Sequence, residues 1–203
     1  HVPVLAVSGN HDSAERLASC AGLLDKAGLH LQGAAQREPR VVEFVDSQVF
    51  FLPWMTEEKI KSLYPEERDG ITDLTEAYRV AVNHMREKFI PGKHHLLLSH
   101  AFITNAETST SDRAAEIGFA TQVPASVFEG FDYVALGHIH KPQQVNPFIR
   151  YSGSPMAYSF GKEERQEKSV TLIDTAAMTQ QVVPLPLLHR WTTLTDSYET
   201  LLA

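Results

Sequence analysis

Three short polar segments hold the side chains that could do chemistry in this chain. They are Asn10-His11-Asp12 behind Gly9, His100 behind Ser99, and His138 with His140 in Gly137-His138-Ile139-His140. Imidazole nitrogens and amide oxygens are both good donors to first-row divalent metals. A His-x-His on extended backbone sends both rings to one side, with the intervening Ile139 turned away. Each segment alone has a plainer reading. A lone His100 is ordinarily a satisfied core or surface group, Gly-Asn-His-Asp can be a polar turn capping a helix, and Gly-His-x-His is compatible with either role. All three together, each directly after an apolar strand, point to a divalent-metal site.

The elements that must position them follow from periodicity. Val2 to Val7 reads as a buried strand that stops at Ser8-Gly9. Ser13 then caps a helix whose face is Leu17, Ala21 and Leu24 and which ends near Gly28. Val41 to Val45 and Gln48 to Leu52 form a hairpin-like pair joined at Asp46-Ser47 and stopped by Pro53-Trp54. Asp73 with Glu76 resembles a capping box for a long helix carrying Leu74, Tyr78, Ala81, Met85 and Phe89 up to Pro91-Gly92. His95 to Ser99 and Tyr133 to Leu136 read as strands that end at the histidine segments, with a polar loop from Asn105 to Gly118 between them. Arg150 to Ser152, Ser169 to Asp174 and Gln180 to Val183 read as further strands. Parallel or mixed sheets gather loops at the carboxyl ends of their strands into one crevice, which is how residues so far apart would meet.

Composition bounds the alternatives. The chain has 203 residues, 43% hydrophobic and 21% charged, which is ordinary globular usage and enough to bury a core. Its apolar runs, such as Leu96 to Leu98, are too short to span a bilayer. A net charge of -7 argues against a broad basic surface for nucleic acid, so any DNA contact would be local or shared with a partner. Cys20 is a single cysteine on an amphipathic stretch, expected as a buried thiol in a reducing, cytoplasmic compartment. The opening at His1, already in a strand, suggests a segment of a longer chain.

The three motifs, in this order, resemble the last three of five motifs of the calcineurin-like metallophosphoesterases. The flanks narrow the resemblance to the SbcD branch, the nuclease subunits of bacterial DNA-repair complexes. They are Asn10-His11-Asp12-Ser13, Leu98-Ser99-His100-Ala101, the run from Phe131 to Gln143, and Arg150-Tyr151-Ser152-Gly153-Ser154-Pro155. The resemblance covers Val2 to about Pro186. It implies an α/β sandwich of two mixed sheets flanked by helices, lacking its N-terminal strands and helices. It implies two divalent ions, Mn2+ by expectation, with Asn10, His100 and His138 on the second and His140 on the first. His11 would stabilise charge or protonate the leaving oxygen, with Asp12 orienting its ring, in the hydrolysis of a phosphodiester. DNA, an SbcC-type ATPase subunit and a second copy of the nuclease subunit are the implied partners, with Leu17 and Leu24 able to face that copy.

Two motifs of the family, Asp-x-His and Gly-Asp-x-x-Asp, belong upstream of Asn10, where only nine residues stand. The expectation is that they lie outside this sequence, and that residues 1–186 form a partial phosphoesterase domain followed by the start of a capping region at 187–203. The donors present here are all neutral, so the chain alone is expected to bind metal weakly and to be inactive. The competing readings are another phosphodiesterase or phosphatase of the same family, and a non-catalytic interaction module of the same fold. Arg113, Lys141 and Lys162 lie on loops near the motifs and are read as solvated charges. His1, His30, His84, His94, His95 and His189 are read as structural or exposed.

Overall fold

The computed structural model describes residues 2–109, 111–112, 122–187, 190 and 192–202. Arg113, His1, His189 and all of the polar loop after residue 112 lie outside them. In chain order the elements are β1 (Val4–Val7), α1 (Ala14–Ala18), α2 (Ala21–Asp25), β2 (Leu29–Gln32), β3 (Val41–Glu43), β4 (Ser47–Leu52), α3 (Glu57–Leu63) and α4 (Leu74–Arg86). They continue with β5 (His94–His100), β6 (Phe102–Ile103), β7 (Gln122–Val123), β8 (Tyr133–Gly137), β9 (Gln143–Asn146), β10 (Ile149–Tyr151), β11 (Ser169–Asp174), β12 (Thr179–Pro184) and α5 (Tyr198–Leu202).

The main sheet has the order β3-β4-β5-β8-β10-β9. Its four inner strands run parallel, and β3 and β9 are antiparallel edges. β5 sits between two parallel neighbours, and its Leu96-Leu97-Leu98 run is what a strand covered on both faces requires. Alternation then sorts the side chains. Phe50, Leu52, Leu97, Val134, Leu136 and Ile149 meet the helices, while Val49, Leu96, Leu98 and Ala135 face a groove shared with Thr171 and Ile173 of β11.

α4 covers the helical face with Leu74, Ala77, Tyr78, Ala81, Val82 and Met85, one apolar stripe at helical spacing. Asp73 caps it, accepting from the Glu76 N–H at 2.9 Å as the sequence pattern predicts. On the opposite side β11 and β12 pair as an antiparallel hairpin, tied to the sheet by Arg150 Nε donating to Thr171 Oγ1 at 3.0 Å. The remaining described strands pair as β1 with β2 and β6 with β7, both parallel. The α/β class with a mixed sheet is therefore as read, and no described helix is long and apolar enough to cross a membrane.

The region after the first motif differs from expectation. A single helix from Ser13 to Gly28 is replaced by α1 and α2, each of five residues. Ser13 does cap α1, but Ser19 ends it: its backbone N–H and its hydroxyl both donate to the Arg16 carbonyl, at 3.3 and 2.7 Å. Neither helix contains a buried residue among those described. Cys20 falls at the break and is exposed, which corrects the buried-thiol reading. Gly28 closes the segment with φ +80°, the left-handed conformation common after a helix.

Candidate functional site

Because β4, β5, β8 and β10 are parallel, their carboxyl ends share one edge of the sheet, and this edge collects Trp54, His100 and His138. The first motif arrives from β1 by a separate route. Ser8 donates its N–H to Gln32 O at 3.0 Å and its hydroxyl to Gly33 O at 2.5 Å, and its carbonyl accepts from the Trp54 N–H at 3.0 Å. That last bond fixes the start of the Gly9-Asn10-His11-Asp12 loop beside the end of β4.

Three of the four proposed ligands converge there. Asn10 Oδ1 lies 2.9 Å from His100 Nε2, and His138 Nδ1 lies 3.3 Å from the same nitrogen. Burial, reinforced by the neighbouring His138, holds His100 down at about 4, so the ring is neutral and keeps a lone pair near pH 7. An amide oxygen and a second imidazole nitrogen, each within 3.3 Å of His100 Nε2, form with it a set of residue types suited to a divalent first-row cation. Among the described residues no three His, Cys, Asp or Glu side chains make such a group; the third member here is an amide.

The support around His100 is dense. Tyr78 of α4 donates its hydroxyl to the His100 carbonyl at 3.3 Å. Tyr151 of β10 donates to Ala101 O at 2.7 Å and accepts from the Ile103 N–H at 2.9 Å, so one buried phenol holds the turn that follows β5. His138 has φ 107°, a backbone conformation that a residue with a Cβ rarely adopts. Strain of this kind persists where the surroundings over-determine it and gathers at functional sites.

His140 stands apart from the trio. Its Nδ1 is 2.5 Å from Ser111 Oγ and 3.5 Å from Asp112 Oδ1, and its ring lies 5.2 Å from that of Tyr158. It is near enough to act electrostatically on His100. His11 is exposed on its loop. The Asp12 carboxylate accepts from the Gly9 N–H at 2.7 Å and so closes the turn that carries His11.

Sequence reasoning passed over Trp54. Its indole stacks on His138, with centroids 5.4 Å apart and planes 14° apart, and meets His100 edge-on at 6.0 Å. The available signal was its position just after the strand that neighbours β5. Among the described residues, the histidines read as structural have ordinary partners. His95 stacks on Phe89 at 3.7 Å, His84 stacks on Tyr64 and bonds Glu67, and His30 bonds Asp25. Lys141 is paired with Glu107, and Lys162 is exposed.

No family model matches the chain. The SbcD subunit of nuclease SbcCD from Staphylococcus epidermidis is 29% identical over 205 residues, covering 99% of this chain and 54% of that protein. The Bacillus subtilis protein of the same name is 33% identical over 184 residues, covering 85% and 46%. That of Staphylococcus saprophyticus is 26% identical over 201 residues, covering 98% and 53%. The chain thus spans about half the length of the curated relatives it matches. By motif and by alignment alike, this α/β chain is similar to the SbcD subunit of nuclease SbcCD over 85–99% of its own length.

Proposed function

We propose that the chain contributes to the active site of a DNA nuclease that hydrolyses phosphodiester bonds at duplex ends and hairpins in repair and recombination, as part of a cytoplasmic complex with an SbcC-type ATPase. The observation that carries this reading is the meeting of Asn10, His100 and His138, which come from three distant motifs. Residues 1–186 would form the phosphoesterase part and 187–203 the start of a capping region, with two nuclease subunits paired in the assembly.

Asn10, His100 and His138 would hold one divalent ion, Mn2+ by preference, and His140 would serve a second. Bound there, the ions would offset phosphate charge and make water nucleophilic near neutral pH. The rest falls to the chain. The stacked Trp54 and the buried backbone bonds keep His100 and His138 aimed inward, which supports ligand geometry. His11, exposed at the mouth, would stabilise charge or give a proton to the departing oxygen. Asp12, by closing the loop onto Gly9, would hold His11 at that mouth. All four donors are neutral, so metal binding by this chain is expected to be weak, with negligible hydrolysis.

Calorimetric titration with Mn2+ tests the reading. Weak binding by the parent, lost in Asn10→Ala and His138→Ala, supports it; binding untouched by both substitutions overturns the ligand set. Two tight sites would overturn the expectation of a weak centre. In the full-length protein, His11→Ala should lower hydrolysis of duplex DNA by about 10²–10⁴-fold while leaving Mn2+ affinity unchanged.

A further inference from the structure

His140 is gripped by a buried polar network that none of the roles above uses. Its Nδ1 lies 2.5 Å from Ser111 Oγ, and the same hydroxyl meets Glu163 Oε1. Glu163 is only 1% exposed. Its Oε1 also accepts from the Ser111 N–H at 3.3 Å, and its Oε2 accepts from the N–H groups of Tyr158 and Ser159 at 2.8 and 3.2 Å. Both carboxylate oxygens thus face donors.

That arrangement fixes a proton. A carboxylate surrounded by N–H donors acts as acceptor only, so the hydrogen between Ser111 and Glu163 comes from the serine. Ser111 has one hydrogen to give. Once it is directed to Glu163, the serine oxygen can only accept from His140, so Nδ1 carries the imidazole hydrogen and Nε2 keeps its lone pair. The backbone of His140 is held as well. Its N–H donates to Asp112 Oδ1 at 3.2 Å, and its carbonyl accepts from Lys168 Nζ at 3.2 Å and from the Ser154 N–H at 3.1 Å. Asp112 is 7% exposed and Lys168 1%. Burying such groups is costly unless their hydrogen bonds are filled, and here the filling converges on one histidine.

We propose that Glu163, acting through Ser111, is a positioning residue that fixes His140 as its Nδ1–H tautomer and presents Nε2 as the free donor, while Asp112 and Lys168 hold the backbone in register. Metal-binding histidines commonly give their other N–H to a carboxylate or carbonyl; here a hydroxyl stands between ring and carboxylate. The consequence for function rests on His140 being a metal ligand, whereas the tautomer does not.

Long-range proton–nitrogen NMR on protein labelled with 15N-histidine reads the tautomer directly, with His140 assigned through the signal missing from His140→Gln. The expected parent signal is a single form with Nδ1 protonated and Nε2 bare near neutral pH. Ser111→Ala and Glu163→Gln should each lose that single form, and Ser111→Thr, which keeps the hydroxyl, should restore it. A parent His140 protonated at Nε2, or a tautomer unchanged in Ser111→Ala, overturns the proposal. The parent spectrum decides even if Glu163→Gln fails to fold. Added Mn2+ separates the two readings. If none of His100, His138 and His140 broadens, the metal reading fails and the tautomer result stands. If His140 broadens while protonated at Nε2, this inference alone fails.

Discussion

The imidazole of His100 occupies the space that a side chain on Gly137 would take. A Cβ at Gly137 would lie 2.9 Å from His100 Nδ1, and one at Gly9 would lie 2.5 Å from its Cε1. The glycines of the first and third motifs are therefore the walls of the slot that holds the histidine of the second. This ties the three motifs together through sterics, independently of any ligand chemistry.

Gly137→Ala should push the His100 ring out of its slot. Overpacking of this kind costs about 1–3 kcal/mol, readable as a lower urea midpoint. The ring cannot shift without leaving Asn10 Oδ1, so Mn2+ binding should fall together with stability. Unchanged metal affinity in a folded Gly137→Ala variant would show that the slot does not set the ligand geometry.

Trp54 stacks on His138 and should report on it. Mn2+ is expected to quench indole fluorescence in the parent. The Trp54→Phe variant, which keeps Trp191 as its tryptophan, should lose that quenching while still stacking a ring on His138. Quenching that persists in Trp54→Phe would place the ion elsewhere.

The protein should lose stability in mild acid through His100. Burial holds this imidazole at about 4 against an ordinary 6.5, so the unfolded chain takes up a proton that the folded chain refuses. The stability tied to the neutral ring is complete above pH about 6.5 and is lost progressively as the pH falls toward about 4. Urea midpoints measured across that window should fall more steeply in the parent than in His100→Asn. Equal slopes would remove His100 as the cause.

Tyr151 is buried, and its hydroxyl joins Ala101 to Ile103. Tyr151→Phe leaves a backbone donor and a backbone acceptor without this partner, at a cost of about 1–3 kcal/mol. Chemical denaturation should register that loss, and accelerated amide exchange at Ile103 should localise it.

Much of the site was legible in the linear chain because its signals are local. Apolar runs that stop at polar residues marked the ends of β1, β5 and β8, and Asp73 three residues before Glu76 marked the start of α4. Residue type marked Asn10-His11-Asp12, His100 and His138 with His140 as able to bind metal, and the family resemblance singled out Asn10, His100, His138 and His140 as the ligands. Less was legible where an element depends on what covers it. β2 carries no strong alternation and forms by pairing with β1. The amphipathic pattern after Ser13 promised a helix with a buried thiol, yet Ser19 breaks it and Cys20 is exposed.

By itself, then, the sequence determined which residue types could bind metal, the strands that deliver them and the metallophosphoesterase resemblance, since these depend on residue type and short spacing. Only the tertiary structure decided which donors meet: Asn10 and His100 are 90 residues apart in sequence and 2.9 Å apart in space. It also decided that Trp54 backs His138, and that Glu163 and Lys168 are buried around His140. The physical reason is that hydrogen bonding and ring packing act over a few ångströms. Parallel strand order, which the linear pattern does not encode, fixes which groups come within that range.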